Sequence, residues 1–147
     1  MNLHEYQGKQ LLEKYNVTIQ RGYVAETPEE AVKYAKKLSD ETGTKVFVIK
    51  AQIHAGGRGK GGGVKIAKSL DEVRSISSEI IGMRLITPQT SKEGKLVNKV
   101  LIAEDVYYDG ENNRKEFYIS VLRNRSSSKN MIVYSNTAAT NTSSENS

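Results

Sequence analysis

Residues 49–64 read Ile-Lys-Ala-Gln-Ile-His-Ala-Gly-Gly-Arg-Gly-Lys-Gly-Gly-Gly-Val, and six of the twelve glycines of the chain fall within the eight positions 56–63. Glycine loses more conformational freedom on ordering than any other residue, so this density argues against a helix or strand interior and for a loop. The apolar, β-branched runs on either side, Val46 to Ile49 and Val64 to Ile66, make it a loop between two strands. Glycine also admits positive φ and lets backbone N–H groups come close to an anion. With Arg58 and Lys60 interleaved, the segment has the makings of a phosphate-binding loop, and Lys50 at the end of the first strand puts an ammonium beside it. It has no Gly-Lys-Ser/Thr ending, and its spacing does not open a helix as a dinucleotide fingerprint does. A hairpin loop whose glycines serve turn geometry alone has the same composition, and the residues by themselves leave both readings open.

Around this loop the pattern alternates between helix and strand. Asn2 as N-cap with Glu5 as its capping-box partner predicts a helix to about Tyr15, with Leu3, Tyr6, Leu11 and Tyr15 along it. Val17 to Val24 reads as a strand. Thr27-Pro28-Glu29-Glu30 opens a second helix that buries Ala31, Ala35 and Leu38 and stops at Gly43. Ser69-Leu70-Asp71-Glu72 opens a third, with Val73, Ile76 and Ile80 at core spacing and Gly82 as its stop. Val100 to Ala103 reads as a strand. Glu116 to Leu122 and Met131 to Tyr134 form a β-hairpin across the polar turn 124–130, where Arg123, Arg125 and Ser126 to Ser128 belong to an exposed turn. Tyr108 to Asn113 has the composition of an exposed connection. The fold class expected is α+β, a mixed α/β domain.

Composition removes several function classes. The chain has 147 residues and no cysteine, which excludes disulfide scaffolds and thiolate metal sites, and no apolar run approaches the ~20 residues of a membrane span. Its start has neither a secretion-signal nor a transit-peptide pattern, so a cytoplasmic location and no membrane partner are expected. The net charge of +5 comes from scattered basic residues among nearly as many acids, which argues against a nucleic-acid partner. From Ser135 onward ten of thirteen residues are Ser, Thr or Asn, so 135–147 is expected to be a disordered polar tail.

The opening Asn2-Leu3-His4-Glu5-Tyr6-Gln7, the run Lys50 to Lys60 with Gly62-Gly63-Val64-Lys65, and Leu101-Ile102-Ala103-Glu104 together resemble the β subunit of ADP-forming succinate–CoA ligase, in register from Met1 to about Tyr134. The resemblance implies the N-terminal portion of an ATP-grasp domain over 1–134, incomplete, with a nucleotide lying between two α+β subdomains. It implies ATP or ADP as cofactor and the family's α subunit as partner. The reaction implied is the tricarboxylic acid cycle interconversion of succinyl-CoA, ADP and phosphate with succinate, CoA and ATP, through a phosphohistidine on that α subunit. Lys50 matches the family's phosphate-contacting lysine and Gly57, Arg58 and Gly59 its phosphate-loop backbone contacts. Glu104 matches a residue at the base end, Tyr107 a further base-side contact, and Glu116 a carboxylate near the ribose. These are cations and N–H groups for anionic oxygens, and acceptors for hydroxyl or amino groups.

The resemblance also sets limits. The family's Mg²⁺ ligands and C-terminal CoA-ligase-type domain have no counterpart in these residues, and 136–142 is unlike the family's continuation, so a fragment without independent turnover is expected, with apolar surface exposed. A catalytically inactive nucleotide-binding or decoy module is the alternative. No residue of this chain is assigned a catalytic or metal role. His54 is read as packing its ring or making a hydrogen bond, because the resemblance puts the phosphorylated histidine in the other subunit. His4 is read as a surface residue. Glu104 and Asp105, adjacent on a strand, point to opposite faces and do not form an acid/base pair.

Overall fold

The computed structural model describes residues 3–107 and 115–136. The chain divides into two compact units, Met1–Val106 and Tyr107–Ser147.

The first unit holds three helices, α1 (Glu5–Lys14), α2 (Pro28–Thr42) and α3 (Leu70–Ile80), and six strands, β1 (Gly22–Ala25), β2 (Phe47–Ala51), β3 (Val64–Ala67), β4 (Arg84–Leu85), β5 (Lys95–Leu96) and β6 (Val100–Glu104). Four of the strands form an antiparallel sheet in the order β1-β6-β2-β3, and β4 and β5 pair separately. On β2 the side chains alternate, with Phe47, Ile49 and Ala51 buried and Val48 and Lys50 half-buried on the other face. The buried face meets α2 and α3, whose Ala31, Ala35 and Leu38, and Val73 and Ile80, close the core with Leu85, Val97, Val100 and Ile102.

α2 and α3 form where their caps predict. Thr27 Oγ1 accepts from Glu30 N–H at 3.2 Å with Pro28 in the first turn, and Ser69 Oγ accepts from Glu72 N–H at 3.2 Å. Glu30 and Glu72 reach back one residue further than a capping box requires, to the N–H groups of Glu26 and Lys68. Gly43 ends α2 at φ +75°, a conformation open to glycine.

α1 departs from expectation. Its N-cap is His4, whose N–H donates to Gln7 Oε1 at 2.9 Å, while Asn2 lies outside the described residues. The box is therefore two residues later than the sequence pattern had it. No residue of α1 is fully buried, and Leu11 within it, Leu3 before it and Tyr15 at its end are exposed. The strand expected over 17–24 is shorter and later, at Gly22–Ala25. The short β4 and β5, too brief to leave a periodicity, carry the segment that packs against the glycine loop.

The second unit is the hairpin expected from sequence, β7 (Tyr118–Asn124) and β8 (Lys129–Ser135), paired from Tyr118 with Ser135 to Asn124 with Lys129. In its turn Asn124 Oδ1 accepts from Ser126 N–H and Ser127 N–H at 3.0 and 3.2 Å, and no anion is needed to explain the serine run. Ile119, Val121, Ile132 and Tyr134 lie exposed on one face. The connection 108–113 and the tail beyond residue 136 lie outside the described residues.

Truncating Leu38, which is completely buried, to alanine is expected to cost about 2–5 kcal/mol through lost burial and the cavity left behind. Leu12→Ala, on the exposed side of α1, is expected to fall within about 0.5 kcal/mol of the parent chain. Urea denaturation of the two variants followed by circular dichroism checks both.

Candidate functional site

β2 and β6 are the two inner strands of the sheet, and Lys50 stands near the end of β2 on the face away from α2 and α3. An ammonium in that half-buried position needs acceptors. It has two: Glu5 Oε1 at 3.1 Å and Gln20 Oε1 at 2.9 Å. The same Glu5 carboxylate accepts from Arg58 Nη2 at 2.7 Å and lies 3.4 Å from Lys9 Nζ, which also donates to Gln20 Oε1 at 2.9 Å. The four charged side chains are only 19–21% exposed, so their attraction is weakly screened by solvent.

Three cations therefore surround one carboxylate. Burial pushes the Glu5 carboxyl up, but Lys50 and Arg58 outweigh it and hold its pKa down at about 2, against an ordinary 4.5. Lys9 is held below the usual lysine range, first by burial and then by the charge of Lys50. Glu5 was expected as a capping partner of Asn2. It is instead the first residue of α1, turned toward the sheet.

The glycine loop is tied to this cluster at its base. Arg58 Nη1 donates to the Ala51 carbonyl at 2.8 Å, Ala51 N–H donates to the Gly63 carbonyl at 2.7 Å, and Gly63 N–H donates to the Arg58 carbonyl at 2.8 Å. Its glycines have different reasons to be there. Gly57 and Gly62 have φ of +73° and +80°. At Gly61 a Cβ would collide with the Ile86 carbonyl, and at Gly63 it would meet the Leu85 side chain. At Gly59 neither holds: its φ is not positive and the space a Cβ would take is open. Turn geometry and close packing thus account for most of the loop, and Gly59 is left over.

Beside the loop a cleft of about 500 Å³ is lined by Glu5, Ile53, His54, Gly56, Arg58 and Gln89 among others. Gln89 closes one side by accepting from Gly56 N–H at 2.7 Å. His54 packs its ring on His4 with centroids 3.9 Å apart and 21° between planes, as expected for a loop histidine. His4 is half-buried rather than on the surface, with Nδ1 lacking a partner among the described residues. Its pKa is lowered, chiefly by burial and then by His54.

Glu104 closes β6. Its carboxylate accepts from Arg21 N–H at 2.8 Å, and its carbonyl accepts from Gln20 Nε2 at 2.6 Å, so Gln20 bridges Lys50 and the end of β6. Lys50, Gly57, Arg58, Gly59 and Glu104 all belong to the first unit. Tyr107 and Glu116 belong to the second, where Tyr107 Oη donates to Glu116 Oε1 at 3.1 Å. The residues missed from sequence are Glu5, Lys9 and Gln20. They lie 30–45 positions from Lys50 in the case of Gln20 and Glu5, and no local pattern joins them.

The sequence profile of the ATP-grasp domain matches residues 2–143. The chain is 69% identical over 135 residues to the β subunit of ADP-forming succinate–CoA ligase from Flavobacterium psychrophilum, covering 92% of this chain and 34% of that protein. It is 64% identical over 135 residues to the same subunit from Flavobacterium johnsoniae, again covering 92% and 34%. The chain thus spans about a third of the length of these relatives. Among solved structures, a phosphoribosylamine–glycine ligase from Thermotoga maritima superimposes with a TM-score of 0.53 at 25% identity, over 88% of this chain and 27% of that one.

A carboxyl whose pKa is depressed in the folded chain stabilises it above the unfolded value, and that stability is lost as pH falls from about 4.5 toward 2. Acid unfolding of the parent chain should therefore steepen through that window, and Glu5→Gln should remove part of the slope there. Urea midpoints measured from pH 6 to pH 2.5 check this.

Proposed function

The chain belongs to the ATP-grasp family, and from that premise we propose that it binds the phosphate end of ATP or ADP as the N-terminal part of a succinate–CoA ligase β subunit. The observation that carries the reading is Lys50. Two of its three N–H donors are spent on Glu5 and Gln20, and the third has no acceptor among the described residues, beside a loop tied to the same carboxylate. Gly59 supports it, being a loop glycine that neither a positive φ nor a close neighbour accounts for. Glu5, Gly56 and Arg58 line a cleft within the ~300–1,000 Å³ usual for small-molecule sites.

In this reading Lys50 supplies a fixed positive charge and Gly57, Arg58 and Gly59 supply backbone N–H groups for phosphate oxygens, as oriented amides do in other phosphate loops. The family resemblance assigns Glu104 to the base end, and it alone carries the assignments of Tyr107 as a further base-side contact and Glu116 as a carboxylate near the ribose. Phosphoryl transfer depends on positioning and charge neutralisation, and in this reading the loop backbone serves the first and Lys50 the second. Among the described residues, no group of three or more His, Cys, Asp or Glu is arranged to hold a metal ion.

The parent reaction we assign is reversible formation of succinate, CoA and ATP from succinyl-CoA, ADP and phosphate, in the cytosol, together with an α subunit. Among the described residues no helix is long and apolar enough to cross a membrane. Nucleotide binding without turnover is the second reading. Activity on adding an α subunit separates the two.

Calorimetric titration with ATP, ADP and adenosine tests the phosphate site, with folding of every variant confirmed by circular dichroism. Lys50→Ala should cost ATP about 1.5–3 kcal/mol, the worth of a hydrogen bond to a charged group. That is roughly a tenfold to hundredfold loss of affinity. Gly59→Ala should weaken ATP while leaving the melting temperature unchanged, whereas Gly61→Ala should lower the melting temperature. A folded parent chain that binds neither nucleotide rules the reading out.

A further inference from the structure

Glu5 is where the charges of this site converge, although a carboxylate next to a phosphate site repels the ligand. A residue that only neutralised surplus charge would not need such geometry. Glu5 Oε1 takes one N–H of Lys50, and Glu5 Oε2 takes the outer nitrogen of Arg58. The other terminal nitrogen of Arg58 is on the Ala51 carbonyl. Both terminal nitrogens of the guanidinium are thus engaged within the protein, and Arg58 is strapped between α1 and the last residue of β2.

We propose that Glu5 is the positioning residue of the phosphate site: it locks Arg58 as an internal brace for the glycine loop and aims the remaining N–H of Lys50 outward. The charge at the centre of the loop then serves to hold the loop, and the backbone together with Lys50 meets the phosphate oxygens. An ammonium with two donors committed has its third direction fixed, so no side-chain ordering remains to be lost when a ligand arrives. The brace is continuous with the backbone bonds from Ala51 to Gly63 and from Gly63 to Arg58, so its loss frees the base of the loop. The effect on ligand binding rests on the nucleotide reading above, while the lock on Arg58 can be observed without any ligand.

The sign of the Glu5→Gln effect is decisive. Glutamine is nearly isosteric and uncharged, and presents one carbonyl oxygen and one amide donor to a site that needs two acceptors. If Glu5 merely offsets charge, its removal tightens ATP binding. If it positions the cations, Glu5→Gln weakens ATP roughly tenfold, the lower end of what outer-shell partners are worth at metal sites. Adenosine binding should not change. Glu5→Asp keeps the charge on a shorter arm and should recover part of the loss. It also carries the comparison if Glu5→Gln fails to fold, again by weakening ATP and not adenosine.

Proton NMR of the Arg58 guanidinium in the free chain supplies the independent readout. Its N–H signals should be separate and slow to exchange in the parent chain and averaged in Glu5→Gln. Unchanged Arg58 signals, or ATP binding that stays equal or tightens in Glu5→Gln, overturn the proposal. A parent chain with locked Arg58 signals that fails to bind ATP supports the lock and overturns the nucleotide reading.

Discussion

A lysine near the end of an inner strand constrains the rest of the first unit. Lys50 is flanked by β3 on one side and β6 on the other, so its side chain has only the two faces of the sheet to choose between. One face is filled by Leu38, Val73, Ile80 and their neighbours, where an ammonium would lose its hydration without return. The other must bring it acceptors. α1 and the segment before β1 do so through Glu5 and Gln20. The apolar side chains of α1 contribute little, since none of its residues is fully buried. Tyr6 N–H adds one further tie, to Gln52 Oε1 at 3.3 Å. Hydrogen bonds and ion pairs therefore do for α1 what burial does for α2 and α3.

The glycine loop answers a different constraint. It leaves β2 and returns as β3 while passing close to β4, and Gly61 and Gly63 are the positions where that approach leaves no room for a side chain. Gly57 and Gly62 take left-handed backbone that other residues enter at a cost. Much of the glycine density is thus geometry, as the plainer interpretation of the composition holds. The loop is nevertheless not a flexible tether. Its base is closed by backbone bonds and by Arg58, and Gln89 fixes its start.

How far sequence went depended on the range of the forces involved. Caps and a buried face within one helix are local, and Thr27, Ser69, Gly43 and the core residues of α2 and α3 were legible. The start of α1 was misplaced because Asn2 with Glu5 and His4 with Gln7 satisfy the same spacing, and only the demand of Lys50 and Arg58 for a carboxylate removes Glu5 from capping. The run 17–24 reads whole as strand, whereas pairing with β6 begins at Gly22. The sheet order and the β4–β5 pair had no local signature. Lys50 and Arg58 stood out by their setting. Glu5, Lys9 and Gln20 did not, because their importance lies in meeting Lys50 across the sheet face.

The same network joins sites that the residue assignments treat separately. Arg58, Glu5, Lys50, Gln20 and the carbonyl of Glu104 form one chain of hydrogen bonds, and the Glu104 carboxylate extends it to the backbone of Arg21. Members of such a half-buried network polarise one another, and deleting one leaves its neighbours with donors or acceptors unmatched. Substituting the Glu104 side chain leaves its carbonyl and the bond from Gln20 in place, so the effects this network couples are those of Lys50, Glu5 and Gln20, and a sum of single substitutions misstates any one of them. Gln20 is the element through which that coupling runs. Its amide is the one group here that faces Lys50 with an acceptor and β6 with a donor at once, a division that neither a carboxylate nor an ammonium can make.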